Sequence, residues 1–271
     1  MFGFILGFIN ISGDNIYMTT DIQLTKEEIE KILNFQKILD GIARKGDGGT
    51  HIKLSNKYSP TELSACVRGS YYARVFPQEY DNKSYRNFLL GNVLHDVFQT
   101  NLDYKLREKV LGKVLEGKIR YLENEKSYHY LIPLEKTDNQ RIIISGRLDS
   151  IIFLHGYDKP VVVDYKTTSM LKYSMDAPKD AHVAQLNFYL GCTLADYGMV
   201  VYVDKKNLEV VQHTVDWSAT KFNEMIDYAI TLNKHLNAGT VPPCDLVKMK
   251  KEGYCNYCNY AQKCRAAEAI Q

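Results

Sequence analysis

The sequence predicts a mixed α/β domain with a mixed central β-sheet flanked by helices, for three reasons. Apolar runs of strand length alternate with longer segments of helical periodicity. Hydrophobic residues make up 45% of the 271 residues and charged residues 24%, a composition typical of a globular protein with a sizeable core. The predicted elements run helix, three strands, helix, two strands, helix, which favours one mixed domain over two.

The N-terminal part of the chain is predicted to be helical. Helical patterns cover residues 25–45, 59–76 and 84–116. Thr25 is suited to cap the first helix, with Glu28 in the capping-box position, and Ser59 or Thr61 to cap the second. The glycine-rich segment 41–50 is predicted to be a loop. It lacks the Gly-Lys-Ser/Thr of a phosphate-binding loop, which excludes that class of ATPase.

The C-terminal part carries the predicted strands. Strands are predicted over 119–134, 140–154 and 159–167, a helix over 178–197, a hairpin over 199–215 and a helix over 217–238. Gly239 and Pro242 stop the last helix. We therefore expect an N-terminal extension and helix over 1–58, a core over 59–240 and a C-terminal segment over 241–271 that packs near Cys66.

Targeting signals are not evident. The opening "MFGFILGFI" is too short for a membrane span and lacks the basic start and cleavage site of a signal peptide. A cytoplasmic protein without a membrane partner is the expectation, and in that compartment cysteines are more often metal ligands than disulfides. The net charge is only +2, so any nucleic-acid surface has to be local.

Two acidic residues lie on neighbouring predicted strands. "RIIISGRLDSIIF" places Asp149 in one strand, and "PVVVDYKTTS" places Asp164 and Lys166 at the end of the next. Strand side chains alternate, so Asp164 and Lys166 share a face and Tyr165 takes the other. Paired carboxylates suit Mg²⁺ or Mn²⁺, and a lysine beside them can position a water. The alternative is an ion pair at two strand ends, but the buried strands favour a site.

Two helical motifs point to the same region. Gly91 and His95 are four residues apart on one helix, and Gln185 and Tyr189 are four apart on another. His95 is a candidate metal ligand, and Gln185 and Tyr189 are candidates for contacting a DNA strand. The ordinary alternatives are a satisfied core histidine and a polar helix face.

Taken in order, these motifs resemble a known family. They are Gly91-x-x-x-His95, Gly146-Arg147-Leu148-Asp149, Asp164-Tyr165-Lys166 and Gln185-x-x-x-Tyr189. This arrangement resembles the RecB-type branch of the PD-(D/E)XK nuclease superfamily, in particular the iron–sulfur nucleases related to the CRISPR adaptation exonuclease and the AddB nuclease domain. The resemblance covers about residues 59–264.

The resemblance implies a metal-dependent nuclease site. His95, Asp149, Asp164 and the backbone carbonyl of Tyr165 would hold one or two Mg²⁺ or Mn²⁺ ions. Lys166 would position the attacking water, and Gln185 and Tyr189 would guide the strand. The superfamily often adds an acidic residue from the strand before Asp149. The candidates here are Glu123 and Glu135.

The cysteines indicate a second centre. Cys255-x-x-Cys258-x5-Cys264 closes the chain, and a Cys-x-x-Cys with a third cysteine nearby is rarely incidental. The family pattern supplies a fourth ligand, Cys66. Four thiolates suit a [4Fe–4S] cluster or Zn²⁺, and the resemblance favours the cluster. Cys192 is predicted to be a core residue, and Cys244 does not fit the family spacing.

A local basic surface for DNA has two candidates. One is the basic segment over 105–120, which also carries acids and is equally consistent with a solvated helix face. The other combines cations and aromatics at Arg68, Tyr71, Tyr72 and Arg74. These four residues are equally suited to packing around the cysteines.

The sequence therefore predicts a Mg²⁺- or Mn²⁺-dependent deoxyribonuclease, an exonuclease on single-stranded DNA or DNA ends. A protein partner in recombination, repair or CRISPR adaptation is compatible with the resemblance. Two alternatives stay open: a non-catalytic DNA-binding module of the same fold, and an iron–sulfur or zinc regulatory protein.

Overall fold

The computed structural model describes residues 25, 27, 34–46, 56–64, 66–102, 118–133, 141–243, 254–256 and 258–268. Within these residues, no helix is both long and apolar enough to cross a membrane. The predicted helical start at 28–33, the basic segment at 105–117 and the residues Glu135 and Cys244 lie outside the described residues. The division into segments at residues 58 and 240 stays a prediction.

The fold is mixed α/β, as the sequence predicts. The strands are β1 (Lys57–Tyr58), β2 (Ile119–Pro133), β3 (Arg141–Leu154), β4 (Pro160–Thr168), β5 (Tyr197–Asp204) and β6 (Val210–Asp216). The helices are α1 (Phe35–Gly46), α2 (Pro60–Leu63), α3 (Val67–Val75), α4 (Asn82–Leu102), α5 (Asp180–Thr193), α6 (Ala219–Ala238) and α7 (Ala261–Glu268). Short 3-10 turns cover Leu171–Ser174 and Tyr254–Asn256.

Strand β3 is the centre of the sheet and pairs with three strands. Antiparallel β2 follows it along its length, from Ile119 opposite Leu154 to Pro133 opposite Arg141. The other edge of β3 pairs with parallel β1 near its start and with antiparallel β4 near its end. The order continues through parallel β5 to antiparallel β6. The sheet is therefore mixed, and β3 has an interval between β1 and β4 where no described strand pairs with this edge.

Helix ends follow local sequence signals, with one correction. The side chain of Ser59 accepts a hydrogen bond from the Glu62 backbone N at 3.1 Å, so it caps α2 as predicted. Gly239 ends α6 with a positive φ of 64°, which glycine adopts without strain. The single helix predicted over 59–76 is wrong, because α2 ends at Leu63 and α3 begins at Val67 with Cys66 at its N-cap.

Three further elements differ from the prediction, two in their boundaries and one in its presence. Helix α1 continues through the start of the predicted 41–50 loop, to Gly46. The long helix begins at Asn82 and is described to Leu102. Strand β1 was not predicted, because two residues are too short to show strand periodicity.

The two faces of the sheet carry separate apolar clusters. The larger cluster joins β3, β4 and β5 to α2, α3, α5 and α6, and includes Ile144, Leu186 and Leu232. The smaller cluster contains Val163 and Tyr165 on the opposite face, where Phe98 of α4 packs. Each fully buried aliphatic side chain contributes about 1.5–3 kcal/mol. Helices α4 and α5 therefore lie on opposite faces of the sheet.

The C-terminal segment packs against α3. The ring of Tyr260 lies 6.1 Å from the ring of Tyr72, and its hydroxyl donates to the Phe76 carbonyl at 3.0 Å. Lys263 Nζ lies 4.2 Å from the centre of the Phe76 ring. At the start of the C-terminal segment, the Pro242 carbonyl accepts a hydrogen bond from Nε of the buried Arg68 at 2.8 Å. Aromatic and polar contacts thus dock the segment that the sequence placed near Cys66.

Candidate active site

The candidate site lies where β4 separates from β3. Antiparallel pairing ends at Ser150 and Val163, so Asp149 and Asp164 are the next residues in that register. There the backbone N of Tyr165 donates to Asp149 Oδ2 at 2.8 Å. Because this side chain replaces a backbone acceptor, β4 leaves β3 and continues beside β5 to Thr168. The divergence brings the two carboxylates to one opening in the sheet.

Asp164, Lys166 and Gln185 form a connected group on the α5 face. Lys166 Nζ lies 2.8 Å from Asp164 Oδ2 and donates to Gln185 Oε1 at 3.1 Å. The Asp164 side chain is only 2% exposed, and burial of an unpaired carboxylate is costly. The lysine ammonium offsets that cost. The prediction that Asp164 and Lys166 share a face, with Tyr165 on the other, is confirmed.

His95 approaches Asp149 from the opposite side of the sheet. Helix α4 carries it to a position where its Nδ1 lies 3.7 Å from Asp149 Oδ1. Burial lowers the pKa of His95, and the positive charge of Lys166 lowers it further. A neutral imidazole is the form that binds a metal ion. His95 is therefore a neutral imidazole beside a carboxylate, and could serve as a metal ligand.

The environment of Asp149 disfavours the ionised form of its side chain. Burial raises the pKa of Asp149 to about 7, and the negative charge of Asp164 adds to the effect, while Lys166 and the Tyr165 backbone hydrogen bond oppose it. Two carboxylates that repel one another in a desolvated opening favour a bound cation. A cation bound between Asp149 and Asp164 would offset this repulsion.

The donor set suits a hard divalent cation but is not a closed cage. Among the described residues, no three His, Cys, Asp or Glu side chains are grouped so that they could hold one metal ion. Mg²⁺ is commonly bound by one or two carboxylates, with waters and substrate phosphates completing the shell. The two carboxylates of Asp149 and Asp164 fit that mode of binding, and the His95 imidazole lies beside Asp149.

Gln185 and Tyr189 contact Lys166 and the backbone of β3 rather than facing solvent. Both are buried, at 8% and 2% exposure, whereas the sequence suggested that they contact a DNA strand. The Tyr189 hydroxyl donates to the Arg147 carbonyl at 3.0 Å, in the interval of β3 between β1 and β4. At Gly146, a Cβ would lie 2.4 Å from that hydroxyl and 2.7 Å from the Pro60 ring. A glycine is needed there to let α2 and α5 close the gap.

The structure adds Glu125, which the sequence reasoning missed. It lies opposite Asp149 on β2, between the pairs Asn124–Ser150 and Lys126–Leu148. Its φ of 56° is in the left-handed region, which a glutamate rarely adopts. Its carboxylate forms an ion pair with Arg147 and accepts from Gln99 Nε2 at 2.7 Å. The candidate Glu123 instead pairs with Lys126 at 2.5 Å.

Arg68 and Tyr72 are not brought to the site. Each is about 5% exposed and packs where α3 meets the C-terminal segment. Arg68 also donates from its guanidinium to Cys264 Sγ at 3.5 Å. The structure therefore shows both residues in the packing role, one of the two alternatives that the sequence left open.

The four predicted cluster cysteines lie in one neighbourhood. Burial raises the pKa of the Cys258 thiol, and Cys66, Cys255 and Cys264 are near enough to raise it further. All four are free thiols. They are not arranged as a ready metal site, since the described residues contain no such group. Cys192 packs against the main apolar cluster, as predicted for a core residue, and burial raises its pKa to about 12.

Comparisons with known proteins bear on the fold and the family. The chain is similar to the crystal structure of SSO0001, with a TM-score of 0.54 and 20% identity over 84% of this chain and 94% of that one. An alkaline exonuclease from Laribacter hongkongensis has a TM-score of 0.35 and 11% identity over 68% and 89% of the two chains. A phage-related exonuclease from Haemophilus somnus 129PT has a TM-score of 0.38 and 12% identity over 64% and 81%.

The likeness to SSO0001 shows a shared fold. No curated protein matches the chain. The family comparison is more specific, because the PD-(D/E)XK nuclease superfamily matches residues 70–265, which is well over half of the chain and includes the diverging strands. The chain belongs to the PD-(D/E)XK nuclease superfamily.

Proposed function

We propose that this protein is a Mg²⁺- or Mn²⁺-dependent deoxyribonuclease that acts as an exonuclease on single-stranded DNA or DNA ends. The observation that carries the proposal is the meeting of Asp149, Asp164 and Lys166 where β4 separates from β3. The exonuclease preference follows the resemblance of the motifs to RecB-type nucleases. Cytoplasmic location and a protein partner in recombination, repair or CRISPR adaptation are parts of the same proposal.

Each residue of the site has a proposed role. Asp149, Asp164, His95 and the Tyr165 carbonyl would hold the divalent ion. When bound, that ion would polarise the phosphodiester and acidify a water. Asp149 would have to be deprotonated to serve as a ligand, because only the carboxylate form binds the ion well.

Lys166 is proposed to position the attacking water or to neutralise the charge that develops on the phosphate. Its ammonium carries three N–H groups, donates one to Gln185 Oε1 and forms an ion pair with Asp164 Oδ2 at 2.8 Å. A remaining N–H group is then suited to a water or a phosphate oxygen. Gln185 and Tyr189 act as positioning residues in this proposal, Gln185 through Lys166 and Tyr189 through the β3 backbone.

The test is cleavage of end-labelled DNA with Mn²⁺, and with the metal removed by chelation. We expect mononucleotides or short oligonucleotides from linear single strands, and much slower attack on closed circular single strands. Cleavage of circles at the same rate would replace the exonuclease by an endonuclease. DNA binding without cleavage would favour the non-catalytic DNA-binding module. No DNA binding would favour the regulatory protein.

We further propose that Cys66, Cys255, Cys258 and Cys264 hold a [4Fe–4S] cluster, with Zn²⁺ as the alternative. What supports this is the docking of the C-terminal segment on α3 beside Cys66, together with the resemblance to the iron–sulfur branch. The thiols would have to close around the group, since no ready site exists among the described residues.

The cluster has its own test, independent of cleavage. Protein purified without oxygen should contain iron and sulfide in stoichiometric amounts, and Cys255→Ser should lose the iron and loosen the C-terminal segment. Stoichiometric zinc without sulfide would replace the cluster by a zinc site. Protein with neither metal would remove both.

A further inference from the structure

The most unusual backbone near the candidate site is at Glu125, in the middle of a long strand. In a regular strand, consecutive side chains point to opposite faces. Here Asn124 and Glu125 both reach one residue of α4, Gln99: Asn124 Nδ2 donates to the Gln99 carbonyl at 3.3 Å, and Glu125 Oε1 accepts from Gln99 Nε2 at 2.7 Å. The left-handed φ of 56° at Glu125 accounts for two successive side chains reaching one partner.

Gln99 connects this strand to the carboxylate strand as well. Its Nε2 also donates to the Asp149 backbone carbonyl at 3.1 Å, so one amide group bridges β2, β3 and α4. Gln99 is 6% exposed and lies one helical turn after His95. The Ser150 hydroxyl completes the link by donating to Asn124 Oδ1 at 2.7 Å.

We propose that Gln99 and Glu125 form a brace that sets the separation of His95 from Asp149, and so sets the affinity of the site for a divalent cation. The brace acts through the helix and the strand, which makes both residues positioning residues. The proposal rests on the proposed metal site and names two residues that the sequence motifs do not contain.

The physical argument is that an unfavourable conformation survives only where its surroundings enforce it. Helix α4 and β3 face one another across the opening, and His95 and Asp149 are 3.7 Å apart there. Without the Gln99 amide, the contacts that remain between α4 and this part of the sheet include the Asn124 hydrogen bond to the Gln99 backbone carbonyl, at 3.3 Å, and the ring contact of Phe98 with Tyr165, at 5.3 Å. A ring contact tolerates sliding, whereas two buried hydrogen bonds from one amide fix a register.

The test is calorimetric titration of Mn²⁺ into the full chain without DNA, so that the readout is metal affinity and not activity. Gln99→Leu removes both hydrogen bonds at nearly constant volume and should weaken Mn²⁺ binding about 10-fold or more, the usual effect of losing a residue that orients a ligand. The matched control is Asn233→Leu. Asn233 is another buried amide, 5% exposed, whose Oδ1 accepts from the Tyr58 hydroxyl at 2.9 Å, away from the site.

Glu125→Gly provides the second variant, because glycine adopts a positive φ without strain. It should weaken Mn²⁺ binding while the melting temperature stays equal or rises, a combination that loss of stability alone does not produce. Unchanged Mn²⁺ affinity in folded Gln99→Leu or in Glu125→Gly would overturn the brace. Equal weakening in Asn233→Leu would overturn it too. A parent chain that binds no Mn²⁺ would overturn the metal site and the brace together.

Discussion

The candidate metal site and the C-terminal cysteine segment are built in different ways. The site is made by the sheet itself: β4 separates from β3, and buried hydrogen bonds fix Asp149, Lys166 and Gln185 in place. The cysteine segment lies on the outside of α3, and aromatic and polar contacts of Tyr260 and Lys263 hold it there.

The difference separates the two proposed metal centres by how far each is formed before metal binds. At the diverging strands, the charges are assembled before any ion arrives, and burial with like-charge repulsion raises the pKa of Asp149. At the cysteine segment, the thiols are near one another but not arranged as a site. At the diverging strands, we therefore expect a bound ion to offset the repulsion between the two carboxylates. At the cysteine segment, we expect the metal to draw the four thiols together.

The largest effect should come from removing a carboxylate from the diverging strands. Asp164→Ala should reduce cleavage by about 10³-fold or more with Mn²⁺ in excess, because charge stabilisation at the reacting phosphate is lost. Folding should be intact, since the change also removes a buried like-charge repulsion. Cleavage rates and circular dichroism on the same preparation measure both. Turnover at the parent rate would show that the reaction takes place elsewhere.

Lys166 should affect the reaction more than DNA binding. Lys166→Ala is expected to slow kcat by about 10²-fold, on the scale of a general acid–base or positioning group, while DNA affinity stays near that of the parent. Single-turnover rates and binding measured with Ca²⁺ separate the two quantities. If affinity falls in step with the rate, Lys166 is a phosphate anchor instead.

The raised pKa of Asp149 predicts how the stability of the metal-free protein depends on pH. An aspartate with an ordinary pKa of 3.8 that rises to about 7 on folding binds a proton more tightly in the folded state. Its contribution is therefore fully present below about pH 4 and is lost as pH rises to 7, on the order of a few kcal/mol. Urea denaturation at pH 5 and pH 7.5 measures the slope.

Two further denaturation measurements, one on a substituted chain and one with Mn²⁺ added, sharpen the comparison. Asp149→Asn should flatten the slope between pH 5 and pH 7.5, and Mn²⁺ should restore stability at the higher pH. A slope that is the same in the parent chain and in Asp149→Asn would assign it to other groups.

The smallest effect is expected at the cysteine segment. Tyr260→Ala loses a ring contact with Tyr72 and a hydrogen bond to the Phe76 carbonyl, and should destabilise the segment by about 1–2 kcal/mol. Limited proteolysis near the C-terminus should quicken while the Mn²⁺ affinity at the diverging strands is unchanged. A matching loss of Mn²⁺ affinity would mean that the two regions are coupled.

The sequence predicted the parts of the fold that depend on long apolar patterns. The runs "III" and "VVV" gave β3 and β4, and alternation placed Asp164 and Lys166 on one face. Burial was harder to predict, because Arg68, Tyr72, Gln185 and Tyr189 are polar or amphipathic residue types that usually reach the surface. Their partners are 42 or more positions away for Tyr189 and 174 for Arg68, and such contacts leave no local pattern.

Glu125 illustrates a second limit of the sequence. A positive φ is usually found at glycine or asparagine, so a glutamate within a run of strand residues does not predict one. The same holds for the division of the predicted 59–76 helix, where Cys66 caps α3 without a side-chain hydrogen bond. Both features are imposed by tertiary contacts rather than by local preference.

The most direct test of the central claim is a titration of Mn²⁺ into the metal-free chain, compared with the Asp149→Asn, Asp164→Asn double variant. The account predicts saturable binding by the parent, with protons released on binding near pH 6, because Asp149, with its pKa of about 7, is mostly protonated there and would ionise to bind the ion. Both the binding and the proton release should be lost in the double variant. Undiminished Mn²⁺ binding by that variant would contradict the assignment of the diverging strands as the metal site.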